Sequence, residues 1–461
     1  MNIDALYAVS ALDGRYAEQL TDLQGLVSEG ALIRYRIIVE AAWLLHLGAA
    51  SPALVELTPE VRVFLETLSQ GNVPKDSAMQ VKAIEATTNH DVKAVEYWLR
   101  DQLTKLGASP AVLAHIHFAC TSEDINNIAY ALMLRDTREK IILPTFDHII
   151  KNISQLARTL SDKPMLSRTH GQTASPTTMG KELSVFAWRL YRQRKAIGEQ
   201  EITGKLNGAV GNFNAHWAAC PDRDWVAISR DFVTTRLGLT WNPLTTQIEN
   251  HDSFVEYMST IRLVNSILID FARDMWGYIS LGYFTQKTIK GEVGSSTMPH
   301  KVNPIYFENA EGNLGVANSL MSHFADKLPI SRWQRDLSDS TVLRVTGTAM
   351  GHSLLAWKSL LKGLDRVAVN PGRMLEDLNN AWEVLAEPVQ TVMRRYAVVD
   401  AYERLKAATR GEAMVTKAMI HAAIDGCKEI PAAEKTRMKA WTPASYTGLA
   451  TKLVTDYLPM N

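Results

Sequence analysis

Cysteine is nearly absent from this chain, with only Cys120, Cys220 and Cys427 among 461 residues. Three scattered thiols exclude a disulfide framework and fit a reducing compartment, the cytoplasm. No excess of charge of either sign exists, since Lys plus Arg and Asp plus Glu both number 49. A protein that holds nucleic acid through its phosphates ordinarily carries a basic excess, so no nucleic-acid partner is expected. Any anion must instead meet a local cluster of cations. Long uninterrupted apolar runs are missing as well. The most apolar stretch, "YMSTIRLVNSILIDFARDMWGYISLGYF", is broken by Arg262, Asp270, Arg273 and Asp274. It predicts a buried bundle helix and no membrane partner. The opening "MNIDALYAVS" lacks the basic and then apolar regions of a signal peptide. No internal repeat or low-complexity tract is found.

What is there is helical spacing. Apolar residues make up 46% of the chain, enough for a large core. Over 257–284, Ile261, Val264, Leu268, Phe271, Met275 and Ile279 recur three or four apart, and 144–160 and 180–200 behave similarly. Strand-like alternation is scarce. The fold class expected is all-α with a central bundle of long helices. Thr58-Pro59 reads as a helix start, and "GASPAVLAH" and "VAVNPGRM" read as boundaries. Three segments follow: an N-terminal helical domain over 1–111, the long-helix bundle over 112–366, and a C-terminal helical domain over 367–461.

Five strings do not look like helix surface: "DGRY" (13–16), "TTNHDVKAVEY" (87–97), "TSEDINN" (121–127), "SRTHGQTASP" (167–176) and "GSSTMPHKVNP" (294–304). "NGAVGN" (207–212), "TTQIE" (245–249) and "SRWQRDLSDSTVLR" (331–344) are weaker companions. Each also has a plain structural reading. "TSEDINN" can be a helix cap on Thr121 or Ser122 with acids in the first turn. "SRTHGQ" can be a turn whose His170 is satisfied by backbone carbonyls. Asn303 can cap a helix that Pro304 begins. "NGAVGN" is neither a dinucleotide fingerprint nor a P-loop. His115, His117, Cys120, Glu123 and Asp124 lie close in sequence, but His-x-His shares a face only in a strand, and no metal is expected.

Taken together, the strings hold the parts of a polyanion site. His170 is suited to proton transfer near neutral pH. Arg15, Arg335, Arg344 and Lys301 can meet phosphate or carboxylate oxygens. Thr88, Ser122 and Asn303 add neutral donors. Helix starts after "NHD" and "VNP" offer free N–H groups. A small, multiply anionic substrate undergoing proton transfer suits this set; spacing alone does not name the reaction.

"GSSTMPHKVNP" resembles the signature loop of the fumarase/aspartase superfamily, whose members are helical, homotetrameric lyases that release fumarate from succinyl compounds. "TSEDINN" and "NGAVGN" are similar to its other two signature regions, in the same chain order. "DGRY", "TTNHDVKAVEY", "SRTHGQTASP", "TTQIE" and "RWQRDLSDSTVLR" resemble the bacterial branch acting on adenylosuccinate. The likeness runs from about residue 8 to 410, and the last fifty residues carry little signature. It implies a β-elimination that gives AMP and fumarate, with no cofactor and with active sites shared between subunits. It also implies His170 as general acid and Ser295 as general base, with Lys301 and Asn303 holding the succinyl carboxylates. Arg15 and Tyr16 would grip the phosphate, and Asn89, His90 and Asp91 would line the nucleotide. Thr121 and Ser122 would contact a carboxylate, and Gln247 the succinyl group or base. Asn309, Arg335, Ser340 and Arg344 would complete the phosphate and purine contacts. Other readings are a lyase acting on argininosuccinate, a non-catalytic helical scaffold, and a metal hydrolase built on His115, His117 and Cys120. A serine base requires a loop that closes, with Gly291 and Gly294 as hinges.

Overall fold

The computed structural model describes residues 6–51, 53–287, 298, 301–409 and 415–458. Helices dominate, as the spacing predicts. Among the described residues, strands occur only as three two-stranded sheets. The helices that matter for the site are α1 (Glu29–Ala50), α2 (Asp91–Lys105), α3 (Ser122–Thr137), α4 (Leu143–Thr159), α5 (Met179–Glu199), α6 (Asp252–Ser280), α7 (Ile305–Lys327), α8 (Ser338–Leu343) and α9 (Thr346–Asp365). The apolar stripe over 257–284 becomes α6, with Ile261, Val264, Leu268, Phe271 and Met275 fully buried.

Two compact units are formed. One comprises Met1–Phe146, Gln193–Ser266 and Gly312–Trp357; the other comprises Asp147–Arg192, Ile267–Glu311 and Lys358–Asn461.

In the first unit, α1 is apolar on nearly every side, and Ile37, Val39, Ala41, Trp43, Leu44 and Leu47 are out of water. A helix buried all round is a core helix. It packs on the helix Pro59–Ser69 and on α3. Pro59–Ser69 starts as expected, with Thr58 accepting the Val61 N–H and proline in first place. Asn265, on α6, is a buried amide of this unit. Its Nδ2 donates to Ser353 Oγ at 3.0 Å, and its Oδ1 accepts from Trp357 Nε1 at 3.0 Å. Both ends being satisfied, the amide is tolerated in the core.

In the second unit, β1 (Pro164–Thr169) and β2 (Gln172–Thr178) form an antiparallel hairpin. Leu166 of β1 belongs to an apolar cluster with Leu378, Val389, Met393, Ile420 and Ile424. The last hundred residues therefore have a core of their own. Asn370 caps the helix Pro371–Asn379, where the sequence places a boundary. One helix start differs by a residue. Helix α7 begins at Ile305, and the Pro304 carbonyl accepts from Phe307 and Glu308. The helix thus starts within a residue of the place that Asn303-Pro304 predicts.

Candidate active site

The residues singled out by sequence fall into two groups, one in each unit.

In the first unit a chain of charged and polar contacts begins at Arg344, just past α8. Its guanidinium pairs with Glu29 and lies 3.1 Å from Asp91 Oδ2. Asp91 opens α2, and its carboxylate accepts from the buried Arg36 Nη2 at 2.7 Å. Burial alone would raise the Asp91 pKa, but Arg36 and the Val92 N–H more than offset it and hold the carboxyl below its ordinary value. Arg36 Nε donates to Asn126 Oδ1 at 2.8 Å, and Asn126 Nδ2 donates to Glu123 Oε1 at 2.8 Å. Glu123 in turn lies 3.0 Å from Arg335, and Arg335 is 3.8 Å from Asp339. The chain thus links the predicted Asp91, Arg335 and Arg344 across three stretches of sequence, past the start of α3 that carries Thr121 and Ser122.

Three neighbours complete this group. Asn89 ends the helix Ser77–Thr88 in the left-handed conformation, φ 53°, which suits asparagine. His90 caps α2 by accepting the Lys93 N–H on Nδ1 at 3.2 Å, which leaves Nε2 as the donor. Gln247 donates to the Ala209 carbonyl at 3.0 Å and so joins "TTQIE" to "NGAVGN". At Gly211, φ 83°, a Cβ would collide with the Thr245 carbonyl, so only glycine permits this approach. Arg15 is exposed, its guanidinium 5.8 Å from the centre of the Tyr16 ring. Ser340 is half-buried in the first turns of α8.

Beneath "TSEDINN" lies a fully buried ion pair. Lys205 Nζ stands 2.9 Å from Asp124 Oδ1, and neither side chain reaches solvent. Asp124 also accepts the N–H groups of Thr121 at 2.8 Å, Asn207 at 2.9 Å and Gly208 at 3.1 Å. Thr121 is therefore the helix cap, as the structural reading allows. One carboxylate ties two of the signature strings together. Close by, His117 Nδ1 is 2.6 Å from the buried Glu40. Burial would lower its pKa, but the Glu40 and Glu96 carboxylates push it up to about 9. His115 Nδ1 bonds the Ala111 carbonyl at 2.7 Å. Among the described residues, no group of His, Cys, Asp and Glu could hold a metal.

In the second unit, His170 sits at the tip of the β1–β2 hairpin. His170 and Gly171 form its two-residue loop, with φ 54° and 75°. Positive φ at both loop residues matches the twist of a tight hairpin. The turn reading is right, but the imidazole is exposed and not tucked onto backbone carbonyls. The hairpin is braced close to its tip, where Arg168 faces Thr173. Arg168 donates to the Tyr283 hydroxyl at 3.1 Å and to Asp377 at 3.3 Å, and Tyr283 donates to Asp377 at 2.9 Å. Beside β1 is a recess of about 420 Å3, lined in part by Arg168, Glu182, Asp274 and Tyr278. Lys301 is exposed, Asn303 and Asn309 are half-buried, and the Val302 carbonyl accepts from Gln286 Nε2 at 2.6 Å. Ser295, Gly291 and Gly294 lie outside the described residues.

Sequence reasoning missed Arg36, Glu123 and Asn126 as members of the site. Arg36 left one signal: with Arg34 it is one of two arginines inside the apolar run "ALIRYRIIV". A charge there requires a buried partner.

The group around Asp91, Arg335 and Arg344 gathers paired cations and carboxylates, and the chain as a whole matches known proteins. A family model described as Lyase matches residues 14–318 and sets the class, an elimination enzyme. A second model, described as Adenylosuccinate lyase C-terminal, matches residues 331–447, beyond where the sequence motifs give out. The adenylosuccinate lyase of Vibrio cholerae is 53% identical over 461 residues, covering 99% of this chain and all of the relative. That of Escherichia coli K12 is 50% identical over 459 residues, with 99% and 100% covered. The chain belongs to the adenylosuccinate lyase family, and it is a C–N lyase. Among solved structures, the 3-carboxy-cis,cis-muconate lactonizing enzyme of Pseudomonas putida is similar at TM-score 0.72 and 21% identity, covering 94% of this chain and 95% of that one. That likeness concerns the fold alone, the all-α fumarase/aspartase-like fold expected from the sequence.

Proposed function

We propose that the protein splits adenylosuccinate into AMP and fumarate, and the related imidazole-carboxamide succinyl ribotide likewise, by β-elimination. The observation that carries this reading is identity of half or more over the full chain to adenylosuccinate lyases. Ser295 takes the proton from the carbon beside a carboxylate. The carbanion's charge spreads onto that carboxylate, the C–N bond breaks, and His170 protonates the leaving nitrogen. Proton and electron pair move within the substrate and these two groups, so no redox carrier is required. Lys301 and Asn303 hold the succinyl carboxylates where negative charge builds, with Thr121, Ser122 and Gln247 beside them. Arg15 and Tyr16 grip the phosphate. Asn89, His90, Asp91, Asn309, Arg335, Ser340 and Arg344 line the rest of the nucleotide.

The test is an assay of fumarate release from adenylosuccinate and from argininosuccinate. Turnover of the first alone is the expected result. Turnover of argininosuccinate alone would replace this reading by its nearest rival, and no turnover of either would favour a non-catalytic scaffold.

The assembly belongs to the same reading: a homotetramer in the cytoplasm, each site built from more than one subunit. Support comes from the exposed His170 on a braced hairpin, a geometry suited to reaching a neighbouring copy. Three free cysteines suit a reducing compartment. Among the described residues, no helix is long and apolar enough to cross a membrane. The division into segments 1–111, 112–366 and 367–461 is supported by helix breaks at Ser109 and at Asn370. Mixing His170→Ala with Ser295→Ala protein, each inactive alone, should restore part of the activity after subunit exchange. No recovery despite verified exchange would count against a shared site.

A further inference from the structure

His251 has no part in the chemistry described so far, yet its placement is unusual. It is 5% exposed and sits at φ 64°, a conformation that non-glycine residues seldom adopt. A bulky residue is kept there only when its surroundings overdetermine it. Two contacts of its own, and the anchoring of one of its partners, do so. The His251 backbone N–H donates to Glu249 Oε2 at 2.9 Å. Glu249 Oε1 is itself fixed by Thr203 Oγ1 at 2.9 Å and Asn242 Nδ2 at 2.8 Å. The imidazole Nε2 then reaches Asp339 Oδ2 at 3.2 Å.

Asp339 is 4% exposed and stands between His251 and Arg335. Its Oδ1 accepts the Ser340 N–H at 2.7 Å and faces Arg335 at 3.8 Å. We infer that His251, through Asp339, is a positioning residue for the nucleotide-binding side of the site: it fixes the carboxylate that aims Arg335 and anchors the turn carrying Ser340. Asp339 would otherwise be free to rotate toward Arg335 and neutralise it by direct pairing. With Nε2–H holding one oxygen, the carboxylate stays at 3.8 Å, and Glu123 at 3.0 Å is left as the nearer counter-ion that an incoming anion must displace. The inference rests on the reading that Arg335 meets the substrate.

The test is steady-state kinetics of the full-length enzyme with adenylosuccinate. His251→Leu and His251→Gln carry the same backbone cost at φ 64°, and only glutamine can donate to Asp339. His251→Leu is expected to raise KM roughly tenfold, as loss of a bond to a charged group does, with kcat changed by less than about threefold. His251→Gln is expected to recover most of the affinity. Equal defects in both variants, or a normal KM in His251→Leu, would overturn the role. Arg335→Gln separates the two levels of the argument. A raised KM there beside a normal His251→Leu overturns the positioning role alone; a normal KM in Arg335→Gln overturns the reading of Arg335 and this inference with it. Should His251→Leu fail to fold, Asp339→Asn replaces it, because the single acceptor oxygen of asparagine cannot serve both His251 and Ser340 and no charge is left to face Arg335. A shift in KM is then expected, and no shift overturns the role.

Discussion

Replacing His170 by asparagine is expected to lower kcat for fumarate release by about 10²–10⁴-fold, the usual share of a general acid. Asparagine is the informative choice because His170 adopts φ 54°, and asparagine tolerates that conformation better than other non-glycine residues. The hairpin should therefore keep its loop, and the brace near its tip, Arg168 with Tyr283 and Asp377, is untouched. Single-turnover kinetics should show substrate still binding, while circular dichroism and thermal unfolding match the parent. Turnover within tenfold of the parent would remove His170 from the role of proton donor. A matching loss of folded structure would make it a residue of the turn and not of the chemistry.

The second large effect concerns Lys205. Changing it to methionine leaves the Asp124 carboxylate buried with no cation, and breaking one side of a buried pair typically costs about 3–5 kcal/mol. The loss should appear as a lower urea midpoint with little change in slope. Because Asp124 also holds the N–H groups of Thr121 and Gly208, activity should fall with it. Adding Asp124→Asn to Lys205→Met should restore part of the stability, since the uncompensated charge is then gone, although Asn can accept fewer of those N–H bonds. A single mutant that unfolds like the parent would mean that the three backbone donors suffice for the carboxylate. A double mutant less stable than the single would mean that the charge itself holds the loops.

How much of this was legible in the sequence depends on the range of the interaction. The long helices were, because a stripe such as Ile261, Val264, Leu268, Phe271 and Met275 is a local pattern. The Thr58 cap was too, since a cap is read from four consecutive residues, while Ser109 and Asn370 cap helices where the sequence reads only boundaries. His170-Gly171 was readable as a turn, but nothing in the string tells whether the imidazole faces in or out. The links of the polar chain were not readable. Arg36 meets Asn126 across 90 positions, and Arg344 meets Asp91 across 253. Glu123 and Asn126 looked like the first turn of an ordinary helix until Arg335 and Arg36 were placed beside them. His251 carried no motif at all, and its left-handed backbone became visible only with coordinates. The serine proposed as base rests on the resemblance of its loop, and its position lies outside the described residues.

The pairing of Arg335 with Glu123, and of Arg344 with Glu29 and Asp91, has one more consequence. Each guanidinium has a resident counter-ion supplied by the protein. An incoming anion must compete with a tethered carboxylate whose effective concentration is high. Simple monovalent salts are poor competitors under those terms. A nucleotide with a phosphate and two succinyl carboxylates presents several charges on one framework and can engage more than one such site together. Discrimination against the cell's abundant small anions would then come from the number of charges joined in one ligand, more than from the fit of any single pocket.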